Sequence, residues 1–212
     1  MKKFKLTKEF KIENGIKLFK IQALKDFSNV KKGDFGGWIE KEENLSQDRD
    51  AWISENAQVS GDAQVSGYAQ ISGDAWISEN AQVSGDAQVS GYAQISGDAR
   101  VYGYAQISGD ARVYGYAQVF GYARVSGYAR VFGYARVSGN IKISKTEDYF
   151  CCGPIGSRNS FITIVKDQDS ISTGCWNGTK KEFIERVKEV HKNNEHAKNY
   201  LNLIKFVFGN LK

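Results

Sequence analysis

The chain of 212 residues is poor in several residue types, and each scarcity removes an option. It has one proline, Pro154, so almost nothing interrupts a ladder of backbone hydrogen bonds. Its two histidines, His191 and His196, both lie near the C-terminal end, which leaves the long middle without imidazole for acid–base or metal chemistry. Three cysteines, two of them adjacent (Cys151, Cys152), do not make a disulfide framework, and a reducing cytoplasm is the expected compartment. No apolar run approaches the roughly 18 residues of a membrane span, so no membrane partner is expected. The opening stretch MKKFKLTKEF is basic, but Lys5, Lys8, Glu9 and Lys11 interrupt any apolar core, so no secretory signal is expected.

The net charge of +5 hides a polarised distribution. Residues 1–49 carry +4, residues 50–97 carry −6 with no Lys or Arg at all, residues 98–144 carry +4, and residues 145–212 carry +3. Contact with an oppositely charged partner, or head-to-tail contact between copies, suits this pattern better than uniform binding to phosphates, so nucleic acid is not the expected partner.

What the sequence has in abundance is a repeat. The 24 residues at 50–73, DAWISENAQVSGDAQVSGYAQISG, recur without one difference at 74–97. The underlying period is six. Val or Ile stands at every sixth position from Ile53 to Ile143, sixteen times in succession, and a small residue precedes each by two positions, from Ala51 to Ala135 and then Ile141. Ala-x-Val places two side chains inward and one outward, the pattern of a short strand. Gly, then Asp, Asn or Tyr, follows as a corner able to take left-handed backbone angles. Short strands with regular corners and one inward stripe build a solenoid. Because 24 is four hexads, the copy keeps Val and Ala inside; in a coil of three hexads it would also move each outward residue to another face, so that Trp52 and Trp76 would not stack. The block reads as a spacer whose length changes cheaply, with function at its ends.

The unit resembles the hexapeptide repeat of left-handed parallel β-helices. That resemblance implies the handedness and three hexads per coil. Stretch 23–47, ALKDFSNVKKGDFGGWIEKEENLSQ, and the onset AWISENAQVSG resemble a phage and prophage family of hexapeptide-repeat proteins whose members are often labelled transferases. The family setting implies the cytoplasm of a bacterial host. Hexapeptide-repeat acyltransferases use a histidine base, and the γ-class carbonic anhydrases use three zinc-binding histidines. This repeat has neither His nor Cys and no insertion between hexads, so no enzyme, cofactor or metal is expected on it. The resulting expectation is a mainly β protein with an N-terminal β cap (1–37), a left-handed β-helix (38–144) and a small C-terminal α+β domain (145–212).

Two sets of residues are candidate sites. In the last coils Arg replaces Gln and aromatics replace Ser and Asp. With three hexads to a coil, Tyr104 stacks over Tyr122, Tyr116 over Tyr134, and Arg112 over Arg130. Together with Arg100, Arg124, Tyr128 and Arg136 these form a candidate interaction surface, against the alternative that they simply clothe the prism. After Ser144 the period stops. SFITIVK (160–166) and SISTGCW (170–176) read as a hairpin. Thr179 and Glu182 read as a capping box, and Phe183, Ile184, Val187, Val190 and His191 as one helix face. Ala197, Tyr200, Leu201 and Ile204 mark a second helix. GPIGSRN (153–159) gathers Gly153, Gly156, Ser157, Arg158 and Asn159, which could hold an anion or a nucleotide phosphate; the plain alternative is a glycine turn before a strand. This stretch, with GCWNGT and HKNNEHAKNYL, resembles a C-terminal module found with such phage repeats. Cys175 and His191 could act as thiol and base, but read more simply as core. His191 and His196, five apart, are poorly spaced for a metal.

The expected function is a non-enzymatic scaffold and binding protein, with a host or phage protein, or an anionic small molecule such as a nucleotide, as partner. It is expected to self-associate, as a trimer by the same resemblance, and inhibition of host defence suits the phage setting. An acyltransferase-like enzyme and a virion component are the rival classes.

Overall fold

The computed structural model describes residues 2–209. Trp52–Ile53 to Lys142–Ile143 form two-residue strands, one per hexad, each outward residue half-buried or exposed and each Val or Ile at most 1% exposed, except that Trp52 is itself buried. Each strand pairs in parallel with the third strand after it, as Trp52 with Gln70 and Gln94 with Arg112. Three flat faces result, so three hexads make one coil. Ile39 and Leu45 begin the pattern early. Trp38 pairs with Gln58 and Leu45 bridges to Val65, a slightly longer step than in the later coils, because two extra residues lie between Leu45 and Ile53. Counting that first turn, the solenoid has six coils. Its interior is a continuous stack of Ala, Val and Ile.

The corners explain the glycines. Gly61 has φ of +64°, and a Cβ on it would come within 3.0 Å of the Glu79 backbone in the next coil. Glu55 and Glu79 occupy the same kind of corner with φ of 57° and 60°. Each offsets that strain with its carboxylate, which accepts the N–H of the corner one coil on, Gly73 and Gly97 respectively. The duplicated block thus carries its own duplicated corner bond. Trp52 and Trp76 lie on different faces, as the four-hexad spacing requires.

A solenoid leaves unpaired backbone at each end, and the two ends are closed by different chemistry. At the N-terminal end, Phe4–Glu13 and Ile16–Ala23 form an antiparallel hairpin that continues through Phe35–Ile39 into one solenoid face. Phe4, Ile21, Phe27 and Val30 plug the core, with Phe27 edge-on to Trp52 at 5.3 Å. Carbonyls exposed at this end are met by side-chain donors. Lys3 Nζ reaches Ala51 O at 2.8 Å, and Asn44 Nδ2 donates to Gly61 O and Ala63 O at 3.0 and 2.9 Å. Both residues are fully buried.

At the other end, the N–H groups of the last coil donate to side-chain oxygens of the following segment. Arg130 N meets Thr146 Oγ1 at 3.1 Å, Phe132 N meets Tyr149 Oη at 3.2 Å, and Arg136 N meets Thr163 Oγ1 at 2.9 Å. Gln168 imitates a missing strand: Oε1 accepts Lys142 N at 2.8 Å while Nε2 donates to Lys142 O. Val165 closes the hydrophobic column.

The C-terminal domain is larger in sheet than expected. Phe150–Ile155, Ser160–Val165, Ser170–Thr173 and Trp176–Gly178 make four antiparallel strands, where one hairpin was expected. The outer two are masked in sequence: one contains Cys-Cys-Gly-Pro and a register shift after Cys152, and the other has only three residues. Helices α1 (Lys180–His191) and α2 (Glu195–Phe208) cover the sheet through Phe183, Val187, Tyr200 and Ile204. The Thr179–Glu182 capping box forms as expected, and Asn194 caps α2 through Ala197 N at 3.0 Å. No helix among the described residues is long and apolar enough to cross a membrane.

Candidate functional site

The second hydrophobic core is small, and it does not close at one corner. There, two hairpin turns and both helices surround a cavity of about 250 Å³. Its floor is apolar: Phe183 and Val187 of α1, Tyr200 of α2, and Trp176, tilted against Phe183 at 5.3 Å. Its rim is polar. The 156–159 turn supplies Ser157 and Arg158, the 174–175 turn supplies Cys175, and α1 supplies Arg186 and His191. Ser160 and Thr173 add hydroxyls from the adjoining strands. No carboxylate is among the lining residues.

The geometry at the rim is specific. Arg158 Nη1 lies 3.9 Å from Cys175 Sγ, so the two turns sit side by side. Arg186 is held by Glu189 at 3.1 Å along the helix surface. The Tyr200 hydroxyl lies against the Gly156 Cα, where any Cβ would overlap it; with φ of +74°, that position requires glycine on both counts. Burial pushes the Tyr200 pKa up, with the Arg158 charge pulling weakly the other way, so the phenol stays a neutral donor. The His191 ring stands 5.8 Å from that of Tyr200 and 5.8 Å from that of His196. No group of three or more His, Cys, Asp or Glu among the described residues is placed to hold a metal ion.

The structure divides the GPIGSRN candidates. Ser157 and Arg158 face the cavity, and Gly156 backs onto Tyr200. Asn159, with φ of 50°, closes the hairpin turn, its N–H bonded to Gly156 O at 3.2 Å. Gly153 lies apart, in a second cleft with Phe161, Cys151 and Cys152 beside the end of the solenoid. The segment is therefore a β-hairpin turn that presents two side chains, not a ring of backbone donors. Cys175 occupies an exposed turn and not a strand, which brings it into the same cavity as His191. Trp176 and Arg186 escaped the sequence reading. Arg186 falls three residues after Phe183 and one before Val187, at the edge of the buried helix face, which is the one signal that could have placed it at a rim.

The solenoid candidates are also divided. Arg112 and Arg130 share one face, Arg100 and Arg136 a second, and Arg124 the third. The stacks form as the three-hexad coil predicts: Tyr104 on Tyr122 at 5.0 Å, Tyr116 on Tyr134 at 5.0 Å. Two columns then run on into the C-terminal segment: Tyr116 and Tyr134 continue to Phe161, 4.2 Å from Tyr134, and Tyr114 and Phe132 continue to Tyr149, edge-on to Phe132 at 6.4 Å. Tyr116 and Tyr134 thus belong to a column that docks the domain. All five corner tyrosines, Tyr104, Tyr116, Tyr122, Tyr128 and Tyr134, remain open to solvent. Rings stacked at 5.0 Å leave no room for a base to insert between them.

Two comparisons bear on this architecture. The family model described as YdcK beta solenoid repeat matches residues 69–85, 93–105 and 105–121, all within the solenoid, so the repeat is similar to that one. A search of curated proteins finds no match. The matched stretches stop well short of the cavity, which therefore has to be interpreted from its own residues.

Proposed function

We propose that this is a non-enzymatic binding protein of phage or prophage type, acting in the cytoplasm of a bacterial host. In it a rigid solenoid spaces an N-terminal cap from a C-terminal domain that holds an anionic ligand or partner. One observation carries the reading: a cavity with an apolar floor, arginines on its rim and no carboxylate in its lining. Such a site favours an apolar body joined to a negative group. The perfectly repeated block supports the spacer role, since a four-hexad insertion rotates outward residues between faces and would scramble any site built on one face. Blocking a host defence component is the role that the phage-type setting suggests.

Self-association belongs to the same proposal. A parallel trimer would set the acidic coils of all copies at one height and the basic coils at another. An antiparallel pair sets residues 50–97 of one copy against residues 98–144 of the other, and is the arrangement the charges favour. Light scattering with increasing salt tests it, since charge-driven pairs dissociate as salt screens them.

The enzyme reading keeps one specific support, the meeting of Cys175 and His191 in one cavity. The deciding experiment is a thermal-shift screen of carboxylates, phosphates and nucleotides against wild type, Arg158→Ala and Cys175→Ser. Binding lost in Arg158→Ala and kept in Cys175→Ser, with no ligand consumed, supports the binding protein. Turnover of a thioester that Cys175→Ser abolishes overturns it.

A further inference from the structure

The cavity also restricts the class of ligand, and this step rests on its being a binding site at all. A dry cavity of about 150 Å³ accommodates one benzene ring, and sites for small-molecule ligands typically start near about 300 Å³. At about 250 Å³ this one has room for one ring or branched side chain and a short polar head. A base, a sugar and a phosphate together would extend out through its open corner.

The charges point the same way. Arg158 has no carboxylate partner among the described residues, whereas Arg186 is already held by Glu189. One uncommitted guanidinium matches one negative charge. Its planar fork matches a carboxylate, which it can grip through two parallel hydrogen bonds. A phosphate site would draw on backbone donors at a helix N-terminus or a loop nest. Neither is present. The α1 residues that line the cavity run from Phe183, at the end of the first turn, to His191 in the last, where the helix dipole is negative and disfavours a dianion more than a monoanion. The N-terminal turn of α1 is occupied by its own capping box, and the Asn159 N–H is taken by Gly156 O.

We infer that the cavity binds a compact monoanion, an aromatic or branched aliphatic group bearing a single carboxylate a few bonds away. Such chemistry is offered by a polypeptide chain that ends in Phe or Leu, and equally by a free aromatic acid. The side chain enters between Trp176, Phe183, Val187 and Tyr200. The carboxylate lies on Arg158, with the hydroxyls of Ser157 and Tyr200 available to its second oxygen.

Isothermal titration of the full chain with four probes tests this: a hexapeptide ending in free Phe, the same peptide as its C-terminal amide, 3-phenylpropionate, and AMP. The free-acid peptide should bind about tenfold or more tightly than its amide, as expected for a charge-assisted hydrogen bond. Arg158→Ala should abolish that preference, and Arg158→Lys should restore only part of it because lysine lacks the fork. Arg158 projects from an exposed turn, and circular dichroism will confirm that both variants fold. If 3-phenylpropionate matches the peptide, the ligand is a free acid; if it binds much more weakly, the ligand is a chain terminus. Either outcome supports the class. AMP binding more tightly than both acids overturns the class while leaving a binding site in place. Equal binding of acid and amide overturns the role of Arg158. No binding of any probe at millimolar concentration overturns both the class and the site.

Discussion

In the solenoid, a residue's surroundings follow from its position within the hexad. Ala75 and Ala99 are buried alike, Ile77 and Val101 are buried alike, and the corners repeat the same backbone bonds coil after coil. In the C-terminal domain no position repeats. Arg158, Cys175, Arg186 and Tyr200 come from a turn, another turn and two helices, and meet only because the sheet and helices fold over one another. The difference explains where function can reside. A periodic wall shows each outward side chain much the same neighbours, so it can supply length, charge and docking ladders. A convergent site needs elements that approach from different directions, and the C-terminal domain supplies them around an open cavity.

The sharpest way to break this comparison is to attack the solenoid interior. Val89→Asp should destabilise the protein by several kcal/mol, because its carboxylate would be buried between coils with no partner. Gln88→Lys, one residue away on the exposed side, should change stability by less than about 0.5 kcal/mol. Urea unfolding followed by circular dichroism reads both. Comparable losses would mean that inside and outside have been assigned wrongly.

That in/out phase was legible in sequence because one face of each strand is uniformly Ala and Val or Ile, and because proline never intervenes. The start of the solenoid near residue 38 followed from spacing; the stacking of Tyr104 on Tyr122 and the separation of Trp52 from Trp76 followed once the resemblance to hexapeptide-repeat proteins supplied three hexads per coil. The strand Phe4–Glu13 was not anticipated. Three lysines and two glutamates within it blur its alternation, although Asn14-Gly15, with φ of 50° and 81°, is a strong hairpin signal. The candidate site was half legible. Ser157 and Arg158 stood out as a polar pair in a glycine turn. Their partners Trp176, Arg186 and Tyr200 did not, because local spacing says nothing about which helix face a distant turn will meet. The continuation of two aromatic columns, one to Tyr149 and one to Phe161, was hidden for the same reason.

A smaller effect tests the closure of the N-terminal end. Burial lowers the Lys3 pKa to about 8, against attraction from Asp50 and Asp48 and with a further push from Lys25. Between pH 8 and the ordinary lysine value of about 10.4, the unfolded chain therefore binds more protons than the folded one, and stability rises with pH across that window. Below it both states are charged and the cost of burying the ammonium is constant. Cys151 and Cys152, whose pKa values burial raises, pull the other way as the pH passes the thiol range. They cancel when wild type is compared with Lys3→Met. The melting temperature of wild type relative to Lys3→Met should climb from pH 7.5 to 10. A difference that stays level with pH would mean that Lys3 is not charged and buried in the way its contact with Ala51 O suggests.

The smallest expected effect comes from the largest change. Deleting residues 74–97 joins Gly73 to Asp98, and the hexad phase is kept because four whole units are removed. The inward stripe continues from Ile71 to Val101 without a slip. Glu55 keeps Gly73 as its partner, and the aromatic columns of residues 102–134 move together because they bond to one another and to the C-terminal domain. The prism shortens by one and a third coils, roughly 6 Å at ~4.8 Å per strand spacing, and the C-terminal domain turns onto the next face. Some core is lost, but the chain entropy of the same residues is lost with it, so the two changes oppose each other. The variant should fold, keep its β circular dichroism and bind the same ligand as wild type. Deleting only 77–97, three and a half hexads, should fail, because the half hexad sets corner residues where Val and Ile belong. If the four-hexad deletion is insoluble, or if both deletions fold equally well, the spacer reading is wrong. In the first case the repeated block holds something essential, and in the second the period of six does not govern the fold.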